Sequence, residues 1–352
     1  MKITFRWYGE GNDTVKLEHI RQIPSCEGVV WALHSTPAGE VWETDKILEV
    51  KNQANKHNLH IDVVESVNIH ESIKLGLPER KTYIENYKKT LKNLSTAGVK
   101  VVCYNFMPVF DWLRTDLFKE LPDGSTALFY EKAIVDGLDP EKLVKEYEKK
   151  ADGMTLPGWE PERLKNLKSL FEQYKGISED DLFANLKYFL DEICPIAEES
   201  GIKMAIHPDD PPWSIFGLPR IVKNRDDLAR IVGANASPSN GLTLCSGALG
   251  ANPNNDIPAM IREFGSRIPF AHIRNVKIFE NGDFIEVSHR ASDGSIDILE
   301  VIKAYHDINY QGYMRPDHGR HIFDEKCRPG YGLYDRAMGI MYMLGAWETL
   351  KR

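Results

Sequence analysis

Hydrophobic residues occur along the chain in eight short runs that are rich in β-branched side chains, with helix-like segments between them. The runs span residues 3–9, 28–34, 60–66, 99–106, 202–208, 241–247, 268–275 and 313–319. Strands that alternate with helices are typical of parallel α/β folds, and eight of them favour a closed (β/α)8 TIM barrel. A doubly wound open sheet is the alternative, since it requires only that one strand has been miscounted.

The segments between the runs carry apolar residues at helical spacing. Three of them are "ETDKILEVKNQANKH", "ERKTYIENYKKTLKNLSTAG" and "SIDILEVIKAYHDIN", and they end in polar residues, Gly or Asn, as helices often do. The stretch from about 107 to 176 is different, because its charges and its "LPDGS" and "LPGWEP" turns make it too long for a simple barrel connection. We predict one barrel domain, 1–352, with a mainly helical insertion at about 107–176 that forms a lid over the barrel mouth.

Composition narrows the class of protein. A hydrophobic fraction of 42% with 27% charged residues is ordinary for a globular enzyme, and a net charge of -8 argues against a nucleic-acid partner. The N-terminal "MKITFRWYGEGND" has no apolar signal-peptide core, and the longest apolar run, "GIMYMLGAW", is too short to span a bilayer. The five cysteines form no CxxC pair. We therefore expect a soluble cytoplasmic protein without a membrane partner, and a homo-oligomer is compatible with the sequence.

Four consecutive predicted strands end in residues that bind metals. These residues are His207, Cys245, His272 and Asp317. Each has a structural alternative: either histidine could be a hydrogen-bonded core residue, the cysteine a small apolar one, and the aspartate a turn residue. The active site of a TIM barrel forms at the C-terminal ends of its strands, so four such residues at one level favour a site for one divalent transition metal.

Other predicted strands also end in polar or aromatic residues: Arg6, Trp7, His34, Glu65 and Asn105, with Arg114 a little further along the chain. Strand alternation places Arg274 on the same side as His272, and Arg315 on the same side as Asp317. Arginines of this kind can hold a carboxylate through paired hydrogen bonds, so the barrel mouth suits a small polyhydroxylated anion. For Trp7 the alternative role is packing, and for Glu65 it is pairing with a lysine.

Longer motifs carry a family resemblance. The stretches "FRWYG", "VESVNIHESIK", "VVCYNFMPVFDWLRTDL", "AIHPDDPPWSIFGLPRIV", "MRPDHGR" and "RPGYGLYDRAMG" resemble D-mannonate dehydratases of the xylose-isomerase-like barrel superfamily, over nearly the whole chain. The resemblance implies dehydration of D-mannonate to 2-keto-3-deoxy-D-gluconate in hexuronate (glucuronate) catabolism. It implies a divalent metal, Mn2+ first and Fe2+ next, at His207, Cys245, His272 and Asp317. It also implies a catalytic tyrosine at Tyr331, with Tyr334 as the alternative.

The reaction requires loss of a weakly acidic proton at C2 and of a hydroxyl at C3. We expect Asp317 and Tyr331 to form the acid and base pair, and the sequence leaves open which residue takes the C2 proton. His318 either orients a metal ligand or binds substrate. The expected substrate-binding residues are Arg6, Trp7, His34, Asn105, Arg114, Arg274 and His318.

Three rival functions remain at this stage. A metal-dependent sugar isomerase or epimerase would use the same barrel, but such sites favour carboxylate-rich metal shells, so Cys245 argues against it. A metal-dependent phosphodiesterase is disfavoured by the acidic charge balance. A non-catalytic sugar-acid sensor is the alternative from another class, and the presence of both Asp317 and Tyr331 argues against it.

Overall fold

The structure, a computed structural model, describes residues 1–137 and 167–351. These residues contain twelve β-strands, which are numbered in chain order. They are β1 Lys2–Arg6, β2 Cys26–Trp31, β3 His60–Glu65, β4 Val101–Tyr104, β5 Asp116–Glu120, β6 Thr126–Tyr130, β7 Lys203–Ile206, β8 Asn240–Cys245, β9 Phe270–Ile273, β10 Asn275–Ile278, β11 Phe284–Val287 and β12 Tyr313–Pro316.

Eight of the strands close into a parallel barrel in the order β1-β12-β9-β8-β7-β4-β3-β2. Each predicted hydrophobic run overlaps one of these strands, so the predicted (β/α)8 barrel is confirmed and the open-sheet alternative is wrong. The strands are apolar because helices cover their outer face while side chains fill the barrel interior; every residue of β4 and β9 is buried.

Helices pack around the barrel. The α-helices of the described residues are α1 Leu17–Arg21, α2 Thr44–Lys56, α3 Glu71–Lys74, α4 Arg80–Thr96, α5 Lys132–Gly137, α6 Leu167–Tyr174, α7 Glu179–Glu199, α8 Arg225–Ala234, α9 Ser246–Leu249, α10 Ile257–Phe264, α11 Ile298–Asp307 and α12 Tyr334–Thr349. The three predicted helices correspond to α2, α4 and α11. At the start of α11 the Asp297 side chain accepts hydrogen bonds from the backbone N–H groups of Leu299 and Glu300. Within the described ranges, no helix combines the length and apolarity needed to cross a bilayer.

A second sheet stands beside the barrel mouth. Its four strands are antiparallel in the order β10-β11-β6-β5, and it joins two hairpins that are distant in sequence. The β5–β6 hairpin lies inside the predicted insertion, where the sequence analysis expected mainly helices. Helices α5 and α6 are also present there, and residues 138–166 of the predicted lid lie outside the described residues.

Candidate active site

Barrel register brings the four predicted metal ligands to one level. Cys245, the last residue of β8, is paired directly with His272 of β9. The backbone N–H of Asp317 donates to the Ile273 carbonyl beyond the end of β12, and the backbone N–H of His207 donates to Tyr104 beyond β7. All four side chains therefore face the C-terminal mouth of the barrel, as the predicted strand ends required.

Candidate ligand atoms of His207, Cys245, His272 and Asp317 lie within 4.8 Å of one another. His207 Nε2 is 3.2 Å from His272 Nδ1, and Cys245 Sγ is 3.3 Å from Asp317 Oδ2. His272 Nδ1 is 3.7 Å from Asp317 Oδ1. Two nitrogens, a sulfur and a carboxylate at these separations form a cluster that could hold one divalent metal ion.

Hydrogen bonding around the two histidines tests whether a cation fits. His207 Nδ1 lies 2.7 Å from the Pro208 carbonyl, which only accepts, so Nδ1 carries the hydrogen and Nε2 has the lone pair. His272 Nε2 lies 3.4 Å from Glu65 Oε1 without forming a well-aligned hydrogen bond, but the carboxylate beside Nε2 favours the hydrogen on Nε2 and the lone pair on Nδ1. Two lone pairs then face each other across 3.2 Å without a hydrogen between them. A shared cation satisfies both, and carbonyl or carboxylate partners behind metal-binding histidines are common.

The charges of the cluster also suit a cation. Burial, together with the neighbouring Asp317 carboxylate, raises the pKa of the Cys245 thiol well above its usual value. Burial and the Arg315 charge lower the pKa of His272 to about 4, so its imidazole is neutral at pH 7. Burial opposes ionisation of Asp317, but His318, Arg274 and Arg315 together hold its pKa well below the ordinary range. A metal must therefore displace the thiol proton and otherwise meets ligands that are ready to bind.

Ion pairs surround the cluster in an alternating series. Arg315 lies 2.9 Å from Glu65 and 3.1 Å from Asp317, and Arg274 lies 3.0 Å from Asp317 and 2.8 Å from Asp210. Although burial acts against it, Arg315 and Arg114 respectively keep the pKa values of Glu65 and Asp210 below their usual range. The carboxylates around the cluster are therefore ionised and each is held in place by a guanidinium group.

Arg114 completes this series from behind the cavity wall. Its guanidinium is fully buried and forms a two-pronged contact with Asp210, at 2.8 and 3.1 Å, and a 2.7 Å contact with Glu286. The residue is absent from the set of side chains that line the cavity in the described part of the chain. The structure therefore places Arg114 behind the cavity wall and against Asp210, and its predicted contact with substrate stays a prediction.

Arg6 and His34 form the opposite side of the cavity. Arg6 donates to the Trp7 and Val30 carbonyls and to His34 Nε2 at 3.3 Å, and no carboxylate of residues 1–137 or 167–351 lies within 4.0 Å of it. Burial and the Arg6 charge lower the pKa of His34 well below its usual value, so this imidazole is neutral. Arg6 thus contributes to the cavity a positive charge that is not directly paired with a carboxylate of the described residues. Asn105 also lines the cavity.

Trp7 belongs to the hydrophobic core and is not among the described cavity-lining side chains. It follows Arg6 directly, and consecutive residues of an extended chain point to opposite sides, so only one of the two can face the cavity. In the structure Trp7 therefore packs in the core, which is the alternative role that the sequence analysis gave it.

Tyr331 and His318 meet inside the cavity, where His318 Nε2 lies 2.9 Å from the Tyr331 hydroxyl oxygen. Burial, with the neighbouring Tyr8 and Asp317, raises the pKa of Tyr331 well above its usual value. Tyr334 instead is 46% exposed at the start of α12, with its ring against Phe323. Of the two predicted tyrosines, the structure therefore brings only Tyr331 to the metal cluster.

Asp210, Tyr8 and Glu286 are among the residues around the cavity that the sequence analysis did not predict. Asp210 stands three positions after His207 in "HPDDPP", so its sequence signal was available although it was not used. Tyr8 lines the cavity and packs edge-on against Tyr331 with ring centroids 5.0 Å apart. Glu286 lies on β11, outside the barrel, where barrel periodicity gives no signal.

Comparison with known proteins adds independent information. The D-mannonate dehydratase (UxuA) family model matches residues 1–352. The mannonate dehydratase of Endomicrobium trichonymphae is 66% identical over 352 residues, covering 100% of this chain and 97% of that protein. Mannonate dehydratase 1 of Halalkalibacterium halodurans is 64% identical over 351 residues, covering 100% and 97%. The crystal structure of mannonate dehydratase from Streptococcus suis serotype 2 has a TM-score of 0.90 and 44% identity, covering 99% of this chain and 94% of that one.

Proposed function

This chain belongs to the D-mannonate dehydratase family, and we propose that it dehydrates D-mannonate to 2-keto-3-deoxy-D-gluconate in the cavity at the barrel mouth. One observation carries the assignment to this cavity: the four-residue cluster of His207, Cys245, His272 and Asp317 shares it with the Arg6 guanidinium, which has no directly paired carboxylate among the described residues, and with the buried Tyr331 hydroxyl. The three features match the three needs of the substrate, which are charge stabilisation, a hold on its carboxylate and a proton for its leaving hydroxyl.

The chemistry breaks the C2–H bond and the C3–O bond of the sugar acid. The C2 proton goes to a base of the protein, and the C3 hydroxyl leaves as water once it receives a proton. The resulting enol takes up a proton at C3 and becomes the 2-keto-3-deoxy acid. Two proton transfers at neighbouring carbons require an acid and a base that are both in reach of the bound substrate.

We assign His207, Cys245, His272 and Asp317 as the ligands of a divalent metal, with Mn2+ first and Fe2+ second. When bound, such a cation supplies positive charge that stabilises the negative charge developing on the substrate oxygens as C2 loses its proton. Softness of a thiolate ligand alone would favour zinc or ferrous iron, and the family resemblance supports Mn2+. Glu65 supports His272 from behind, at 3.4 Å.

Arg6 is proposed to bind the substrate carboxylate. Arg274 and Arg315 also reach the cavity, but they are already paired with three and two carboxylates respectively, whereas Arg6 has backbone carbonyls and His34 as its partners. A guanidinium group that is not already paired with a carboxylate can form charged hydrogen bonds with the carboxylate of a ligand. Asn105 supplies amide groups suited to the sugar hydroxyls.

Tyr331 is proposed as the acid and Asp317 as the base. A tyrosine whose pKa is raised keeps its proton at pH 7 and can give it to the leaving C3 hydroxyl. Asp317 is ionised, as a base must be, and it lies within 3.8 Å of His318 Nε2, through which its proton can be passed on.

A direct test follows the reaction by NMR in deuterated water. The protein should convert D-mannonate to a 2-keto-3-deoxy acid that carries deuterium at C3. The Cys245→Ala variant should lose this activity together with stoichiometric metal, because one ligand is gone. Cys194→Ala is a matched control, since Cys194 is a buried thiol on α7 outside the cluster, and it should keep both. A keto-sugar isomer as product would instead support the isomerase alternative.

Three further expectations accompany this proposal. The enzyme would serve hexuronate catabolism, which a deletion strain grown on glucuronate tests. A cytoplasmic location agrees with five free cysteines, since disulfides are rare in that compartment, and cell fractionation tests it. A homo-oligomer stays a prediction, for which light scattering of the purified protein gives the mass.

A further inference from the structure

A buried carboxylate outside the barrel is linked in a line to the proposed acid. Glu286 lies on β11 of the second sheet and is fully buried. Its Oε1 is 2.8 Å from His318 Nδ1, and His318 Nε2 is 2.9 Å from the Tyr331 hydroxyl oxygen. Carboxylate, imidazole and phenol thus form a continuous hydrogen-bonded series that ends in the cavity.

The partners of Nδ1 decide which nitrogen of His318 carries a hydrogen. Arg274 Nη1 also approaches Nδ1, at 3.1 Å, but a guanidinium only donates and an ionised carboxylate only accepts. Nδ1 can either donate to Glu286 or accept from Arg274, but not both. Glu286 is the closer partner, and its negative charge favours a hydrogen on Nδ1 that is donated to it. Arg274 Nη1 has another acceptor in Asp317 Oδ2, at 3.0 Å. The hydrogen therefore belongs on Nδ1, and in the neutral imidazole this leaves Nε2 to accept from the Tyr331 hydroxyl.

Glu286 is itself held firmly. Its Oε1 accepts from Arg114 Nε at 3.2 Å and Nη2 at 2.7 Å, and β11 is hydrogen-bonded to both β10 and β6. Burial opposes its ionisation, yet His318, Arg114 and Arg274 keep the pKa of Glu286 below the usual value. An ionised carboxylate on a rigid strand can fix the orientation of a neighbouring imidazole ring.

We propose that Glu286 is a positioning residue for the dehydration, which holds His318 with Nδ1–H directed away from the cavity and Nε2 directed at Tyr331. The inference rests on the proposed function, because Tyr331 needs a fixed orientation only if it delivers a proton. It also gives the second sheet a role, since this sheet brings Glu286 to the barrel mouth.

The variant Glu286→Gln tests the idea with little change in shape. A glutamine amide can rotate and offer its NH2 group to Nδ1, which would move the imidazole hydrogen to Nε2 and remove the acceptor that Tyr331 needs. We expect kcat to fall roughly 10- to 100-fold, the range found when supporting partners of active-site groups are lost. The KM for D-mannonate and the bound Mn2+ should stay near wild type, because Glu286 contacts neither the cluster nor the open cavity.

The measurement uses the Mn2+-loaded enzyme, with Glu280→Gln as the control because it removes the same charge from an exposed position on the same hairpin. Glu286→Asp keeps the charge beside Arg114 but withdraws the oxygen from His318, so it should show the same kcat loss even if Glu286→Gln folds poorly. Each change is repeated in Tyr331→Phe. If Glu286 acts through Tyr331, changing Glu286 should lower the kcat of the Tyr331→Phe enzyme very little further. If Glu286 has a merely structural role, the two fold-losses in kcat should multiply in the double variant.

Unchanged kcat in folded Glu286→Gln and Glu286→Asp, or fully multiplicative losses with Tyr331→Phe, would overturn the inference. A wild-type enzyme without turnover of D-mannonate would instead reject the proposed function, so the two failures can be told apart.

Discussion

The paired charged side chains at the barrel mouth are buried, and the charge of each is compensated by ion pairs with its neighbours. Arg315 and Arg274 both contact Asp317, while Glu65 and Asp210 take up the other side of each guanidinium. Removing one member of such a series leaves an uncompensated buried charge, which costs more than the pair contributes. Substitutions that keep shape but remove one reactive group are therefore the informative ones at this scale.

Tyr331→Phe is the clearest of these substitutions. It removes the hydroxyl that contacts His318 but no charge, so we expect the fold to survive with a loss of about 1 kcal/mol for the hydrogen bond. If Tyr331 is the acid, kcat should fall roughly 10²- to 10⁴-fold. Steady-state kinetics with D-mannonate gives the value. Tyr334→Phe, at an exposed position outside the cavity, should behave as wild type, and a comparable loss in that variant would contradict the assignment.

At the scale of elements, the second sheet supports the loop that follows β12. Thr126 at the start of β6 forms a bridge with His321, and the His321 ring accepts the Gly330 N–H through Nε2 at 2.9 Å. Gly330 immediately precedes Tyr331. The same sheet thus holds Glu286 behind His318 and also fixes the backbone that presents Tyr331.

The buried His321 ring, which accepts the Gly330 N–H, predicts a pH dependence of stability. Burial lowers the pKa of His321 to about 4 in the folded protein, against about 6.5 in an unfolded chain. Above about pH 6.5 the His321 imidazole is neutral in both the folded and the unfolded state. As the pH falls from about 6.5 to about 4, the imidazole takes up a proton in the unfolded state first. The free energy of unfolding therefore decreases over this range, by up to about 3 kcal/mol.

Urea unfolding of the metal-free protein at a series of pH values measures this effect. His321→Gln removes the titrating group, so the fall in stability between pH 6.5 and 4 should become smaller by a comparable amount. His60→Gln, at an exposed position of β3, is the control. An acid dependence that is the same in wild type and His321→Gln would contradict the account.

The elements also explain what the sequence could predict. Barrel strands are buried on both sides and so appear as apolar runs, which is why the ends at His207, Cys245 and His272 could be predicted. Alternation fails beyond a strand, and Arg114, in a loop after β4, therefore lies behind the cavity wall. The short strands β10 and β11 lie outside the barrel repeat from which the strands were predicted, and the position of Glu286 depends on the pairing of β11 with the distant β6.

For the whole molecule, the metal is expected to connect stability with activity. Its proposed ligands come from four consecutive barrel strands, β7, β8, β9 and β12, so a bound ion joins elements that are far apart in sequence. A ligand that binds only the folded state stabilises it by about 2.7 kcal/mol at a concentration 100 times its Kd. Thermal unfolding should therefore occur at a higher temperature with Mn2+ than after chelation.

The central claim is that this chain dehydrates D-mannonate with a metal held by His207, Cys245, His272 and Asp317. The most direct test strips the purified protein with a chelator, resupplies one equivalent of Mn2+ or Fe2+, and measures formation of the 2-keto-3-deoxy acid at each stage. The account predicts loss of product on stripping and recovery on resupply, in step with the rise in unfolding temperature. Turnover that continues unchanged in the stripped protein, or that is absent with either ion although one equivalent binds, would contradict it.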